Sequence, residues 1–461
     1  MKKIKSGNSL FFSMILLLIT SACEPRPAWV ALYDGSEEWH DVALAVAVDG
    51  QGNVYVTGET FGADTNRDYT TVKYDSDGSE LWVARYDGPD HHGDRVKALA
   101  VDDDGNVYVT GMSDARGHPE YSYDYATVKY DRDGNECWAA RYNGPADESD
   151  HAWALAADDH GNVYVTGSSY GVGTGVDCAT IKYDADGNEA WVARYNGPDN
   201  DHEGAYAVAV DDNGFVYVTG GTMQTMQDFL TIKYDPEGNL LWKACYDSPY
   251  HGSDFAHSLA VDDSGNVLVT GNSDGLEYGE YGFERDFATV KYDSDGNRLW
   301  ARRFNGIAFT PSGLDNARDQ VYEVVVDHAG NVYVTGASVA WSVYWYEIVV
   351  GYVTIKYDPD GNRLWKVRKP GAFSYRVTDP EFPDAHVALD DQGNLYWAGV
   401  VDIPNGSGAP ATIKYDPDGN KLWETYRFQG GLVSDLTLDD AGNIYTTGTD
   451  NDCFATVKYV Q

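Results

Sequence analysis

The sequence predicts an all-β chain folded as a single eight-bladed β-propeller of four-stranded antiparallel blades, with the N-terminal strand completing the last blade. Three observations carry this. A Thr-aliphatic-Lys-Tyr core begins at Thr71, Thr127, Thr180, Thr231, Thr289, Thr354, Thr412 and Thr456. A segment like GNVYVTG begins at Gly52, Gly105, Gly161, Gly214, Gly265, Gly330, Gly393 and Gly442, so both motifs count to eight. A Trp follows the Lys-Tyr turn at Trp82, Trp138, Trp191, Trp242, Trp300, Trp365 and Trp423 but not after Thr456, while Trp29-Val-Ala-Leu-Tyr-Asp-Gly matches Trp82-Val-Ala-Arg-Tyr-Asp-Gly. The two ends therefore complete one unit between them, as a closed ring requires.

Each unit reads as four strands. In the second unit they are an apolar run from Leu99 to Asp103, the alternating Val107 to Thr110, Tyr125 to Asp131, and the Trp-bearing Trp138 to Asn143. Turns such as Asp102-Asp103-Asp104-Gly105-Asn106 and Asp131-Arg132-Asp133-Gly134-Asn135 set Gly where a tight hairpin needs positive φ. They do not read as calcium loops of the helix-loop-helix kind, which need Gly at the sixth position and a bidentate Glu at the twelfth. The Lys of strand three, from Lys73 to Lys458, recurs in all eight units and reads as interblade packing rather than as a single active site.

With these motifs in view, the units resemble the SBBP type of bacterial β-propeller repeat over roughly Trp29 to Tyr459. That resemblance implies seven blades, whereas the repeats here count to eight. The regular Trp after a Gly turn is similar, more loosely, to the tryptophan-docked propellers of quinoprotein dehydrogenases and of the propeller lipoprotein of outer-membrane assembly machinery. The quinoprotein likeness implies an adjacent Cys pair, and no two of Cys137, Cys178, Cys245 and Cys453 are neighbours. Their spacing gives neither a disulfide framework nor a metal-ligand pair, so four free, mostly buried thiols are expected.

Residues 1–22 read as a signal peptide, with Lys2, Lys3 and Lys5 ahead of an apolar run from Leu10 to Ile19 and small residues before Cys23. The segment resembles a bacterial lipoprotein signal, which implies lipidation of Cys23; residues 23–28 are then a short tether and 29–461 the propeller. The apolar run is too short to span a bilayer, which takes about 20 residues. The expected location is extracytoplasmic, lipid-anchored to a bacterial membrane, with the outer membrane or cell surface favoured.

The formal net charge is −40, and the three leader lysines, with no acidic residue among 1–22, take the mature chain to −43. Such a field repels nucleic acid and anionic headgroups and favours cations or basic partners.

In a four-stranded blade the one-to-two and three-to-four turns share one face, and the two-to-three loops and interblade connections share the other. Variation falls on the second face, where loops on a rigid scaffold carry function. An acidic residue recurs there eight positions before the Asp that closes strand one, at Asp41, Asp94, Asp150, Glu203, Asp254 and Asp319. These carboxylates are expected either to cap backbone amides or to ring the channel mouth and hold a cation, Ca2+ being the one to test for. A matching Asp opens strand three at Asp68, Asp124, Asp177, Asp228 and Asp286. Units seven and eight lack both, with Phe382 and Gly431 at the first position and Ala409 and Cys453 at the second. Units five and six carry insertions whose aromatics, Tyr278, Tyr281, Trp341, Tyr344, Trp345 and Tyr346, form the candidate ligand-binding platform. The alternative for them is an extended hairpin packing on itself.

No GxSxG elbow, HExxH or P-loop occurs. The expectation is therefore a non-catalytic, membrane-anchored binding or scaffold module for an envelope or extracellular protein or a glycan, without a cofactor. A passive structural envelope component is the alternative, and an enzyme with a site assembled across blades the third reading.

Overall fold

The computed structural model describes residues 25–35, 40–61, 66–115, 122–200, 202–223, 227–279, 282–306, 317–342, 347–371, 384–402, 408–427, 431–450 and 452–460. The leader, Cys23 and Phe382 lie outside them. Eight four-stranded antiparallel blades follow one another round a ring, the fifth and sixth joined into one eight-stranded sheet by the parallel pair Arg285↔Arg318. Blades 1 to 7 occupy residues 42–86, 94–142, 150–195, 203–246, 254–304, 317–370 and 386–426. Blade 8 takes three strands from residues 435–459 and its fourth from Pro27–Tyr33, which pairs antiparallel with Cys453–Tyr459 in the register Ala31↔Thr456. First strands of successive blades contact one another in an unbroken circuit back to blade 1, which makes them the innermost layer. No helix among the described residues is long and apolar enough to cross a membrane.

The strands begin earlier than their apolar runs suggest. In blade 2 they are Asp94–Val101, Val107–Asp114, Tyr123–Tyr130 and Glu136–Tyr142, because the polar residues that open strands one and three are already in the ladder. The first strands of blades 7 and 8 are shorter, His386–Leu389 and Asp435–Leu438, in the two units that lack the opening acid.

Turn chemistry follows from Asp. Oδ1 of Asp131 accepts the amides of Asp133 and Asn135, both at 2.9 Å, and the Asn135 side chain returns to Asp131 Oδ2. Gly134 follows at φ 87°. A side chain there would also strike the neighbouring blade, since a Cβ on Gly134 would lie 2.7 Å from the Trp82 ring. Trp82 Nε1 donates to the Arg132 carbonyl of the same turn at 3.0 Å, and Lys73 Nζ donates to that carbonyl at 2.8 Å while lying 4.9 Å from the Tyr55 ring centroid. The indole contact recurs from Trp29, Trp138, Trp191, Trp242, Trp300 and Trp365. Trp423 has no such turn to reach, because the chain's two ends stand where blade 8 would carry it.

The Gly of the repeated Val-Thr-Gly has a different cause. The first strands of blades 1 to 6 each carry a bulge, skipping Leu44, Lys97, Trp153, Tyr206, His257 and Tyr322 in the pairing. The bulge drives a carbonyl against strand two, where a Cβ on Gly111 would sit 2.0 Å from the Arg95 oxygen. The thiols depart from expectation: all four are free, but only Cys178 is buried, with Cys137 and Cys245 exposed and Cys453 intermediate. Both exposed thiols lie on fourth strands, whose outer face has no neighbouring strand.

Gly111→Ala is expected to destabilise the protein by about 3 kcal/mol or more, since backbone rather than a movable side chain blocks the methyl group. Gly50→Ala, with nothing within 4 Å of its Cβ position, is expected to stay within about 0.5 kcal/mol. Urea unfolding of the two variants checks the contrast.

Candidate functional site

Three places gather chemistry: the joints between blades, the axial channel, and the loop face of blades 5 and 6. At the joints, Asp41, Asp94, Asp150, Glu203, Asp254 and Asp319 are at most 1% exposed, so they do not ring an open mouth. Five of them accept an amide from the incoming connection: Gly35 to Asp41 and Gly88 to Asp94 at 2.6 Å, Gly144 to Asp150 and Gly306 to Asp319 at 2.5 Å, and Ser248 to Asp254 at 2.7 Å. Glu203 accepts the Thr222 hydroxyl at 3.1 Å. Burial is the leading cause that lifts the Asp94 carboxyl to about 6 and that of Asp319 to about 7, against these amide bonds.

At five of these joints, all but that of Asp41, an Asp also opens strand three of the preceding blade. Arg141 holds Asp124 at 3.0 Å, Arg194 holds Asp177 at 2.7 Å and Arg303 holds Asp286 at 2.9 Å. The remaining two joints differ. Arg85 donates instead to Thr60 Oγ1 at 2.7 Å, and Cys245 stands where blade 4 would have the Arg. At these same joints the connection carries Asp87 and Asp247 in place of Asn143, Asn196 and Asn305. Two carboxylate triads result, Asp68 with Asp87 and Asp94, and Asp228 with Asp247 and Asp254, each offering one oxygen apiece within 4.8 Å of the others. Burial, then the charges of Asp247 and Asp254, raises Asp228 to about 6.

The channel holds what the repeat conceals. The bulge residues form an arc in which Lys97 Nζ lies 5.1 Å from the Trp153 ring centroid, the Trp153 ring lies tilted 6.0 Å from that of Tyr206, and Tyr206 lies 6.5 Å from His257. At the next position blades 1 to 4 carry Ala45, Ala98, Ala154 and Ala207, and the others Ser258, Glu323, His386 and Asp435. Their polar atoms tie adjacent blades: Val324 N donates to Ser258 at 3.2 Å, Val387 N to Glu323 at 2.9 Å and Val46 N to Asp435 at 2.9 Å. His386 Nδ1 lies 3.9 Å from both Glu323 and Asp435. These side chains keep 33%, 20% and 29% of their surface open to the channel for Glu323, His386 and Asp435, yet sit deep in the ring. That depth pushes Glu323 up to about 8 and Asp435 up to about 7, and lowers His386 to about 4. Sequence reading by motif missed all three, because the signal is a departure from Ala at one aligned position.

On the loop face the two-to-three hairpins of blades 5 and 6 are extended. Their strands are Val267–Gly279 with Gly282–Tyr292, and Val332–Ser342 with Glu347–Tyr357. The corresponding strands of blades 1 and 2 have eight residues each, against thirteen and eleven, and eleven and eleven, here. Pairing continues to Ser342↔Glu347 and Gly279↔Gly282. Tyr281, Tyr344, Trp345 and Tyr346 lie outside the described residues, as do the side chains of Tyr278 and Trp341, whose backbones belong to these strands. A cavity of about 280 Å³ opens on the opposite face between blades 3 and 4, lined by the turn residues that every blade repeats, Asp158, Asn162, Lys182 and Asp211 among them.

Comparison with known proteins agrees with this architecture. Residues 91–117 and 250–277 match the SBBP beta-propeller repeat. Both SBBP matches span the opening strands of a blade together with its capping acid, Asp94 in one and Asp254 in the other. An uncharacterised WD repeat-containing protein of Acanthamoeba polyphaga mimivirus is 26% identical over 460 residues, covering 82% of this chain and 31% of its own. The regulatory protein FlaEY of Caulobacter vibrioides is 30% identical over 172 residues, 32% of this chain and 17% of its own. The chain thus spans under a third of the length of these relatives. Among solved structures, a polysaccharide lyase, ulvan lyase, bound to a saccharide has a TM-score of 0.48 at 11% identity, covering 93% of this chain and 95% of its own. The WD40 propeller domain of Doa1 has a TM-score of 0.40 at 11% identity, covering 79% and 93%.

The channel acids set a pH dependence. Glu323 has its folded pKa raised from 4.5 to about 8, so the stability tied to its protonated form is complete below 4.5 and lost as pH rises through about 8. Glu323→Gln is therefore expected to shrink the fall in Tm between about pH 5 and about pH 8 relative to the parent, read by calorimetry.

Proposed function

We propose that this protein is a non-catalytic, lipid-anchored β-propeller of the bacterial envelope, exposed outside the cytoplasm, that binds a protein or glycan on its loop face. The observation that supports this reading is the asymmetry of the ring. Seven indole contacts and the repeated Asp turns keep one face uniform, while the opposite face extends two neighbouring hairpins that carry the sequence's unrepeated aromatics. Aromatic residues are the composition that binding hot spots favour. The acidic surface disfavours nucleic acid and suits a partner with basic groups or a neutral glycan.

The anchor belongs to the same proposal. With Cys23 lipidated, Glu24 to Ala28 spans at most about 17 Å, and the strand Pro27–Tyr33 starts on the turn face. The uniform face then lies toward the membrane and the hairpins of blades 5 and 6 point away from it.

Binding of the chain from Glu24 onward to a glycan array and to fractionated envelope proteins tests the reading. A ligand whose affinity falls at least about tenfold on replacing Trp341 and Trp345 with Ala is the expected result. Absence of any ligand, or a ligand indifferent to both tryptophans, would leave a passive structural propeller.

A further inference from the structure

At the joint between blades 1 and 2 three carboxylates converge, and the arginine aligned with those that hold the strand-three Asp elsewhere is turned to another partner. At the joints that follow blades 2, 3 and 5 the connection carries Asn and an Arg holds the strand-three Asp. After blade 1 the connection carries Asp87, and Arg85 is turned to Thr60. One oxygen of each carboxylate is committed: Gly88 N donates to Asp94 Oδ2 at 2.6 Å, and His91 Nδ1 bonds Asp87 Oδ2 at 2.7 Å. The other oxygens, Asp87 Oδ1 and Asp94 Oδ1, are buried and have no hydrogen-bond partner among the described residues. Nor has Ser113 Oγ, on a residue that is fully buried, as Asp94 is. Ser113 Oγ and Asp94 Oδ1 face the same space above Gly88, 2.4 and 3.0 Å from where a Cβ on that glycine would lie. Arg141 of the next blade is engaged with Asp124 at 3.0 Å and Asp90 at 3.8 Å.

We propose that this joint is a calcium site, with Asp68, Asp87 and Asp94 supplying carboxylate oxygens and Ser113 its hydroxyl. Hard oxygen donors with a high charge count are the chemistry that Ca2+ selects. The three carboxylates lie within 4.8 Å of one another. The site bridges the third strand of blade 1 to the first strand of blade 2, and it stands apart from the loop-face ligand proposed above.

Calorimetric titration of the full-length chain with calcium chloride, with magnesium chloride as the second arm, tests the proposal alongside thermal unfolding. Asp87→Asn is the informative variant, because three other joints already fold with Asn at this position. Asp247→Asn, at the second triad, is the comparison. The parent is expected to bind Ca2+ saturably and to melt higher with it. Asp87→Asn should lose at least about tenfold in Ca2+ affinity, since ligand charge count sets it, while Asp247→Asn keeps the site at the first joint. No saturable Ca2+ binding by the parent would overturn the proposal. So would Asp87→Asn binding as the parent does, or binding that only Asp247→Asn removes.

Discussion

The ring depends on a single carbonyl at seven of its eight joints. The oxygen of the third-to-fourth-strand turn receives the indole N–H of the preceding blade, and in most joints also the ammonium of that blade's strand-three Lys, as Ser76 receives Trp29 and Lys458 and Arg132 receives Trp82 and Lys73. A buried ammonium is costly unless it is paired. Here a carbonyl, an aromatic face and in places a turn Asp, such as Asp262 at 3.0 Å from Lys291, share the task. The turn must then be glycine at its fourth position for two reasons at once, positive φ and the room that the indole occupies. Asp, Gly, Trp and Lys recur together because each is needed by the other three.

Closure uses this contact again. Trp29 pairs through its backbone with the C-terminal strand and through its indole with Ser76 of blade 1, so one residue joins the two ends of the chain and the first blade. Among the described residues the joint without an indole contact of this kind is the one after blade 7, where Pro27 and Tyr459 pair in place of the turn that Trp423 would meet. The ring therefore has one joint built differently from the rest. The amide that Asp435 accepts from Val46 and the one that Glu323 accepts from Val387 tie the inner strands across the neighbouring joints.

The fold was legible because every blade restates it. Counting Thr71 to Thr456 fixes eight units, and the displaced Trp29 fixes the closure. Strand boundaries were less so, since Asp94 and Tyr123 are polar openings to strands that pair before their apolar runs begin. The candidate sites were legible only in part. Asp94 and Asp254 stand out as recurring acids, but recurrence alone cannot separate an amide cap from a ligand, and in the structure five of the six are caps. What distinguishes two joints is carried by other positions, Asp87 and Asp247 among Asn, and Cys245 among Arg. The channel residues were hidden for the opposite reason. Glu323, His386 and Asp435 match no motif, and they show only as departures from the Ala that blades 1 to 4 carry at the aligned position.

A repeat protein is informative where it stops repeating. Eight copies held to one geometry make seven internal controls for each position, so a residue that breaks the pattern must be accommodated by its surroundings or by something bound. The strand-three Asp of blades 2, 3 and 5 is accommodated by an Arg. That of blade 1 faces two further carboxylates instead. The two triads stand at the joints after blades 1 and 4, three blades apart on an eight-blade ring, and neither adjoins the closure, where the ends of the chain already constrain the neighbouring strands.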